Sequence, residues 1–205
     1  MLRRPLFAAA VFACTAAFAA PLFAQVTEVS GVKFNHKVTV AATALQLNGA
    51  GTRYKAIFKV YSAALYLPNK AATPEAVLAT QGPKRMHVVM LRDIDANELG
   101  KLFTRGMQDN SSREEFTKAI SGTIRLGEMF AAKKRLTAGE QFTVDFVPGQ
   151  GTIIAVNGQV QGEPVKEPEF FNALMRIWLG SSPADALLKN ALLGRGAPER
   201  APQEG

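Results

Sequence analysis

The chain has very little of the material from which most enzyme sites and cross-linked cores are built. Its 205 residues include one cysteine, two histidines and one tryptophan. The cysteine, Cys14, stands in an N-terminal apolar run, so neither a disulfide framework nor a cysteine nucleophile is available to the rest of the chain. Two histidines, His36 and His87, cannot build a His-rich metal site. His87 lies mid-way along an apolar stretch and reads as a sheet histidine with its ring nitrogens satisfied, rather than as a catalytic base. No Gly-x-x-x-x-Gly-Lys-Ser/Thr loop, no His-Glu-x-x-His pair and no Gly-x-Ser-x-Gly elbow occurs. Asp93 and Asp95 are close in sequence, but Asp95 opens the capping box Asp95-Ala-Asn-Glu98, which sets aside a paired-carboxylate site. No metal and no cofactor is expected.

What is present begins with Met1-Leu-Arg3-Arg4, a basic start, followed by an apolar run from Pro5 to Phe23. Ala24-Gln25 is a candidate cleavage point. This is the pattern of a secretory signal peptide over residues 1–24, which makes the mature protein periplasmic or secreted. A retained anchor, needing ~20 apolar residues, is the alternative. Lipidation at Cys14 fits less well, because Phe12 is bulky where a small residue is required. Cleavage leaves no stable membrane span. It takes away two arginines and no acid, leaving 22 basic and 17 acidic residues, a balance of +5. The basic residues are spread. Their densest group, Lys133-Lys134-Arg135, falls at the end of an expected helix, where it favours the helix dipole. With export, this argues against nucleic acid as a partner.

At 47% hydrophobic, the chain can bury a sizeable core. Short strands are expected over residues 26–48, with Asn48-Gly49 turning the chain and Gly49 and Gly51 supplying positive-φ positions. Thr52 to Leu67 has no Gly or Pro and reads as one long strand, or two joined by a bend. Thr73-Pro74 starts a short helix, and Lys84 to Leu91 is a strand. A helix from Asp95 to about Asn110 carries Leu99, Phe103, Gly106 and Asn110 on one face. A second helix, capped by Ser112-Arg-Glu-Glu115, runs to near Leu136 with Phe116, Ile120, Thr123, Ile124 and Gly127 inward. Strands Gln141–Val147 and Thr152–Val156 precede the hairpin signal Asn157-Gly158 and a return strand to about Val165. Pro168 opens a helix that stops at Gly180. Ser182-Pro183-Ala-Asp185 caps a last helix, Ala184 to Leu193. Residues 195–205 read as a disordered tail. The order fits one α+β domain over residues 25–194, an antiparallel sheet covered by helices on one face.

Arg53 and Tyr61 are the polar pair that stands out against this apolar background. Arginine offers a fork of donors suited to a carboxylate, and tyrosine adds a hydroxyl on an apolar body. On a straight strand their even spacing puts them on one face but ~26 Å apart, so they share a ligand only if the chain bends back between them. On pattern alone, the plainer reading is a solvated Arg53 and a core Tyr61.

Three blocks resemble the chalcone isomerase-like family. They are Leu47-Asn-Gly-Ala-Gly-Thr-Arg53 with Lys59-Val-Tyr61-Ser-Ala-Ala-Leu-Tyr66-Leu67-Pro68; the Leu99-to-Asn110 helix with the helix after it; and Phe170-Phe171-Asn-Ala-Leu-Met-Arg-Ile177-Trp178-Leu179-Gly180 with Ala186-Leu-Leu-Lys189-Asn-Ala-Leu-Leu-Gly194. The resemblance is to the exported bacterial branch. It implies an open-faced β-sandwich with a ligand cleft between sheet and helices.

The family's enzymes close a chalcone by adding a phenolate across an enone. Their pattern has an arginine, a strand threonine, a helix tyrosine and asparagine, and a Ser/Thr before the helix end. Here Arg53 and Asn110 match, while Tyr61, Phe103 and Ile177 stand at the other three positions. Phe103 and Ile177 offer no donor to a developing oxyanion. The Arg-plus-Tyr combination is instead similar to the fatty-acid-binding branch. That resemblance implies a non-catalytic protein holding a fatty-acid-like or other apolar carboxylate. Arg53 and Tyr61 would take the head group, Asn110 would be a rim donor, and Phe103, Ile177 and Trp178 would form the wall. The alternatives are an isomerase or intramolecular lyase using Arg53 and Asn110, and an interaction protein whose cleft is filled by its own side chains.

Overall fold

The computed structural model describes residues 25–196. The signal-peptide reading, Cys14 and all but the first two residues of the expected tail lie outside the described residues. Elements run in the order β1 (Val26–Val29), β2 (Val32–Asn35), β3 (Lys37–Val40), β4 (Thr43–Lys55), β5 (Phe58–Leu67), α1 (Pro74–Ala79), β6 (Lys84–Met90), β7 (Ile94–Asp95) and α2 (Ala96–Asp109). Then come α3 (Arg113–Lys118), α4 (Ile120–Lys133), β8 (Arg135–Leu136), β9 (Gln141–Val147), β10 (Gly151–Val156), β11 (Gln159–Val160), α5 (Pro168–Leu179) and α6 (Ala186–Leu192). Seven strands form an antiparallel sheet in the order β11-β10-β9-β6-β5-β4-β3. The architecture is α+β, as the sequence order suggests.

Alternation along the central strands assigns the two faces. Tyr61, Ala63, Leu65 and Leu67 of β5, with Met86, Val88 and Met90 of β6, pack under the helices in the main core. Ala64 and Tyr66 turn the other way and join Phe34, Val40, Leu45, Leu47 and Val147 in a smaller cluster. The β1–β2 hairpin rests there, where Ser62 donates to the Val29 carbonyl at 3.0 Å.

β4 is where the sequence reading needs most correction. Asn48-Gly49 does not turn the chain, and neither Gly49 nor Gly51 has a positive φ. Both lie inside β4, which slips register between Leu47 and Gly49. The extra residue is Asn48, whose amide donates to the carbonyls of Ala71 (2.9 Å) and Leu192 (2.8 Å) and accepts from the Ala71 N–H (2.8 Å). A one-residue slip exchanges the two faces of a strand. Leu45 and Leu47 therefore face the open side, whereas Gly49, Gly51 and Arg53 face the helices. The glycines are there because α6 lies on them: a Cβ at Gly49 would strike the Ala191 carbonyl, and one at Gly51 the Ala191 methyl.

The stretch Thr52–Leu67 takes the second of its two expected forms, two strands joined by a bend. Lys55 pairs with Phe58 across a two-residue turn, with Ala56 in the left-handed region at φ 53°. Further on, the single helix expected after Ser112 is two, α3 and α4, meeting at buried Ala119. The break rotates the buried stripe of α4 to Gly122, Thr123, Leu126 and Phe130. Ile120 and Ile124, read as inward, are 49% and 57% exposed. Gly127 meets nothing within 4 Å, whereas Gly122 is pressed against Phe170 and Val165. The return strand is only Gln159–Val160, with Val165 bridging separately to Thr152. The last helix is capped by Asp185 rather than Ser182, its carboxylate accepting from Leu187 N (2.8 Å) and Leu188 N (3.1 Å). Arg195, read as the start of the tail, donates to the Ala72 carbonyl at 2.9 Å. Among the described residues, no helix is long and apolar enough to cross a membrane.

Candidate functional site

The β4–β5 turn brings Arg53 directly opposite Tyr61 in the ladder. The separation expected for a straight strand does not arise. The register slips again between Arg53 and Tyr54, so the pair sits beside a bulge, a device that re-aims side chains. The Arg53 guanidinium carbon lies 5.6 Å from the centre of the Tyr61 ring. Its Nε is buried and has no hydrogen-bond partner among the described residues. Buried donors are almost always paired, so this one marks a place where an acceptor is missing.

Tyr61 is 1% exposed. Its oxygen accepts from the Trp178 indole N–H at 2.8 Å. Burial raises its pKa to about 12, against the pull of Arg53 and the Trp178 hydrogen bond, with nearby Asp185 adding slightly to the rise. The phenol is therefore protonated at neutral pH and keeps an O–H to donate. The carboxylate of Asp185 forms no ion pair with Arg53; its oxygens are engaged by the backbone N–H groups of Tyr54 (2.9 Å), Leu187 and Leu188.

Arg53 and Tyr61 border a cavity of about 160 Å³ closed by Leu99, Leu102, Phe103 and Ile177. Phe103 stacks edge-on against Phe130, Phe142 and Trp178, at 5.4–6.0 Å between ring centres, which fixes its ring as an apolar wall. Ile177 comes from α5 and lies close to Gly106 of α2. The exposed residues Leu102, Arg105 and Asp109 form the mouth.

The sequence-named residues thus divide. Arg53, Tyr61, Phe103 and Ile177 meet at one cavity. Trp178 stands behind it, fully buried, and holds the Tyr61 hydroxyl rather than forming wall. Asn110 is not at the cavity. It caps α2, donating to the carbonyls of Gly106 and Ser182 (both 2.8 Å) and accepting from Ser182 N at 2.7 Å. With both ends of its amide engaged, it pins the α5–α6 loop to α2 and has no role as a rim donor. Leu99 and Leu102 were missed as site residues. Their three-residue spacing on α2 carried the signal, but only the fold shows which flank of the helix meets Arg53. His87 lies on the open face of the sheet, 2.6 Å from Gln141 Oε1, with burial lowering its pKa. It is remote from this chemistry.

The sequence matches the family model described as chalcone isomerase-like over residues 26–194. The chain belongs to the chalcone isomerase-like family. Among solved structures, a fatty-acid binding protein of Arabidopsis thaliana superposes with a TM-score of 0.66 at 13% identity, covering 82% of this chain and 94% of that one. At that identity the likeness is one of fold. No curated protein matches the chain in sequence. As a chalcone isomerase-like protein, it holds an arginine against a buried tyrosine beside an apolar wall, and the arginine Nε has no acceptor among the described residues.

Proposed function

We propose that the protein binds a fatty-acid-like or other apolar carboxylate without turning it over, and that residues 1–24 direct its export to the periplasm or beyond. The observation that carries the reading is the buried Arg53 Nε, unpartnered among the described residues, beside a protonated Tyr61 in a cavity walled by Leu99, Leu102, Phe103 and Ile177, with Arg105 and Asp109 at its mouth. A carboxylate entering there can accept charge-assisted hydrogen bonds from Arg53 and a hydrogen bond from the Tyr61 hydroxyl. An apolar pocket with a few placed polar groups is the ordinary form of a small-molecule site. The Arabidopsis neighbour, described as a fatty-acid binding protein, supports the same ligand class.

The cavity's size refines the picture. At about 160 Å³ it has room for roughly five water-sized groups. That accommodates a carboxylate and its first methylenes. A longer acyl chain must leave past Leu102, which is 39% exposed.

Native mass spectrometry of the purified protein with organic extraction tests this. The expected result is a co-purified acyl carboxylate that Arg53→Met loses while staying folded. A wild-type protein that is empty and stays empty with added fatty acids would overturn it.

A further inference from the structure

The β4–β5 hairpin ends in two adjacent, exposed apolar residues. Ile57 is 77% exposed and Phe58 55%. Single exposed apolar residues need no explanation, but here two stand together at a tip, held out by the left-handed turn at Ala56. Their setting is charged in one sign. Lys55 and Lys59 flank them and are exposed, and the Arg92 guanidinium lies 5.0 Å from the Phe58 ring centre. None of these three has an acidic partner among the described residues.

Asp93, next to Arg92 in the chain, and Asp185, which holds the backbone of Tyr54, are engaged elsewhere. Asp93 accepts from Ala138 N at 3.0 Å and pairs with Arg135. Asp185 caps α6 and holds Tyr54 N. The tip lies two residue pairs, roughly 7 Å at strand spacing, beyond the Arg53–Tyr61 pair. Apolar tip, cationic collar and cavity therefore share one end of the molecule.

We propose that this tip docks the protein on an anionic lipid bilayer. Ile57 and Phe58 enter the boundary between head groups and acyl chains. Lys55, Lys59 and Arg92 sit against the lipid phosphates, an attraction that weakens as salt screens it. A protein partner fits less well. A specific interface buries on the order of 1,200 Å² or more with matched shape, and a two-residue tip offers far less. A bilayer needs no matched shape, and its negative surface complements the collar. Docked in this way, the cavity end faces the membrane, so an amphiphile can pass between them with little exposure to water. That consequence rests on the carboxylate reading; the docking does not.

The test uses the full chain with a tryptophan reporter, since the native Trp178 is fully buried and the same in every variant. Ile57→Trp reports on the tip. Val160→Trp, at an exposed site on the opposite edge of the sheet, reports on adhesion of any other kind. Emission of Ile57→Trp is expected to shift to the blue on vesicles of phosphatidylglycerol and phosphatidylcholine, but not on phosphatidylcholine alone, while Val160→Trp does not move. Adding Lys55→Glu, Lys59→Glu and Arg92→Glu should raise the lipid concentration at half-shift by about tenfold or more. No shift at position 57, an equal shift at 160, or a shift indifferent to the charge reversals overturns the proposal. A persisting shift in a protein that binds no carboxylate would remove the ligand reading and leave the docking.

Discussion

Two arginines sit opposite two buried tyrosines, one pair on each face of the sheet. On the open face Arg85 faces Tyr66 across the ladder, and Asp145 on the next strand completes the set. Arg85 donates from Nε to Oδ1 at 2.6 Å and from Nη2 to Oδ2 at 2.5 Å, a bidentate pair. On the helix face Arg53 faces Tyr61, and among the described residues no carboxylate forms an ion pair with it, Asp185 accepting instead from backbone N–H groups. Each tyrosine is 1% exposed, with its pKa pushed up to about 12 by burial. The difference is that the open-face arginine receives its carboxylate from the protein, whereas the Nε of the helix-face arginine has no acceptor among the described residues, which is the basis for proposing an external one. On the proposed reading, the same cross-strand unit is structural in one place and receptive in the other.

Removing the structural carboxylate is the largest way to break that contrast. Asp145→Ala leaves Arg85, with a side chain only 24% exposed, holding an uncompensated charge. The expected loss is about 3 kcal/mol, a fall of roughly 6–12 °C in Tm for a domain of this size. Arg53→Met, which removes an orphaned donor and keeps the apolar stem, should stay within about 1 kcal/mol of wild type. Thermal denaturation followed by circular dichroism checks both. Equal losses would mean that Arg53 is structural and the contrast is false.

A smaller effect sharpens the comparison at high pH. A folded pKa of about 12 for Tyr61 and Tyr66 against 10.0 for the free side chain means that both phenols favour the folded state while neutral. Their contribution is complete below about pH 10 and is lost as pH rises towards 12, because the unfolded chain ionises first. Phenolate absorbance should therefore show these two tyrosines, identified by Tyr61→Phe and Tyr66→Phe, titrating late. A carboxylate bound beside Arg53 should delay Tyr61 further and leave Tyr66 unmoved. Movement of both, or of neither, would place the ligand elsewhere.

How much of this was legible in the sequence follows from the range of each interaction. The caps at Asp95 and Ser112, the Thr73-Pro74 helix start and the strand from Lys84 are local signals, and the elements they specify are present. The family resemblance singled out Arg53 and Tyr61, which the fold brings to one cavity. What was not legible is longer in range. The Asn48 bulge depends on carbonyls of Ala71 and Leu192, the second of them far along the chain, yet it decides which face Arg53 takes. Gly49 and Gly51 look like turn residues, and only the approach of α6 explains them. Ala56 carries the turn that unites the site without a glycine or proline to announce it. Asn110 matches a catalytic position by spacing, but its partners are the backbone of the α5–α6 loop, which no local pattern reveals.

The most direct test of the central claim is calorimetric titration with dodecanoate and with dodecanol, chains of one length that differ in the head group, on wild type and on Arg53→Met. If Arg53 awaits an external carboxylate, wild type prefers the acid by about ten- to a hundredfold, the range expected for hydrogen bonds to a charged group, and Arg53→Met removes that preference while still binding the alcohol as well as before. Equal affinity of wild type for the two, or a preference that survives Arg53→Met, would contradict the account.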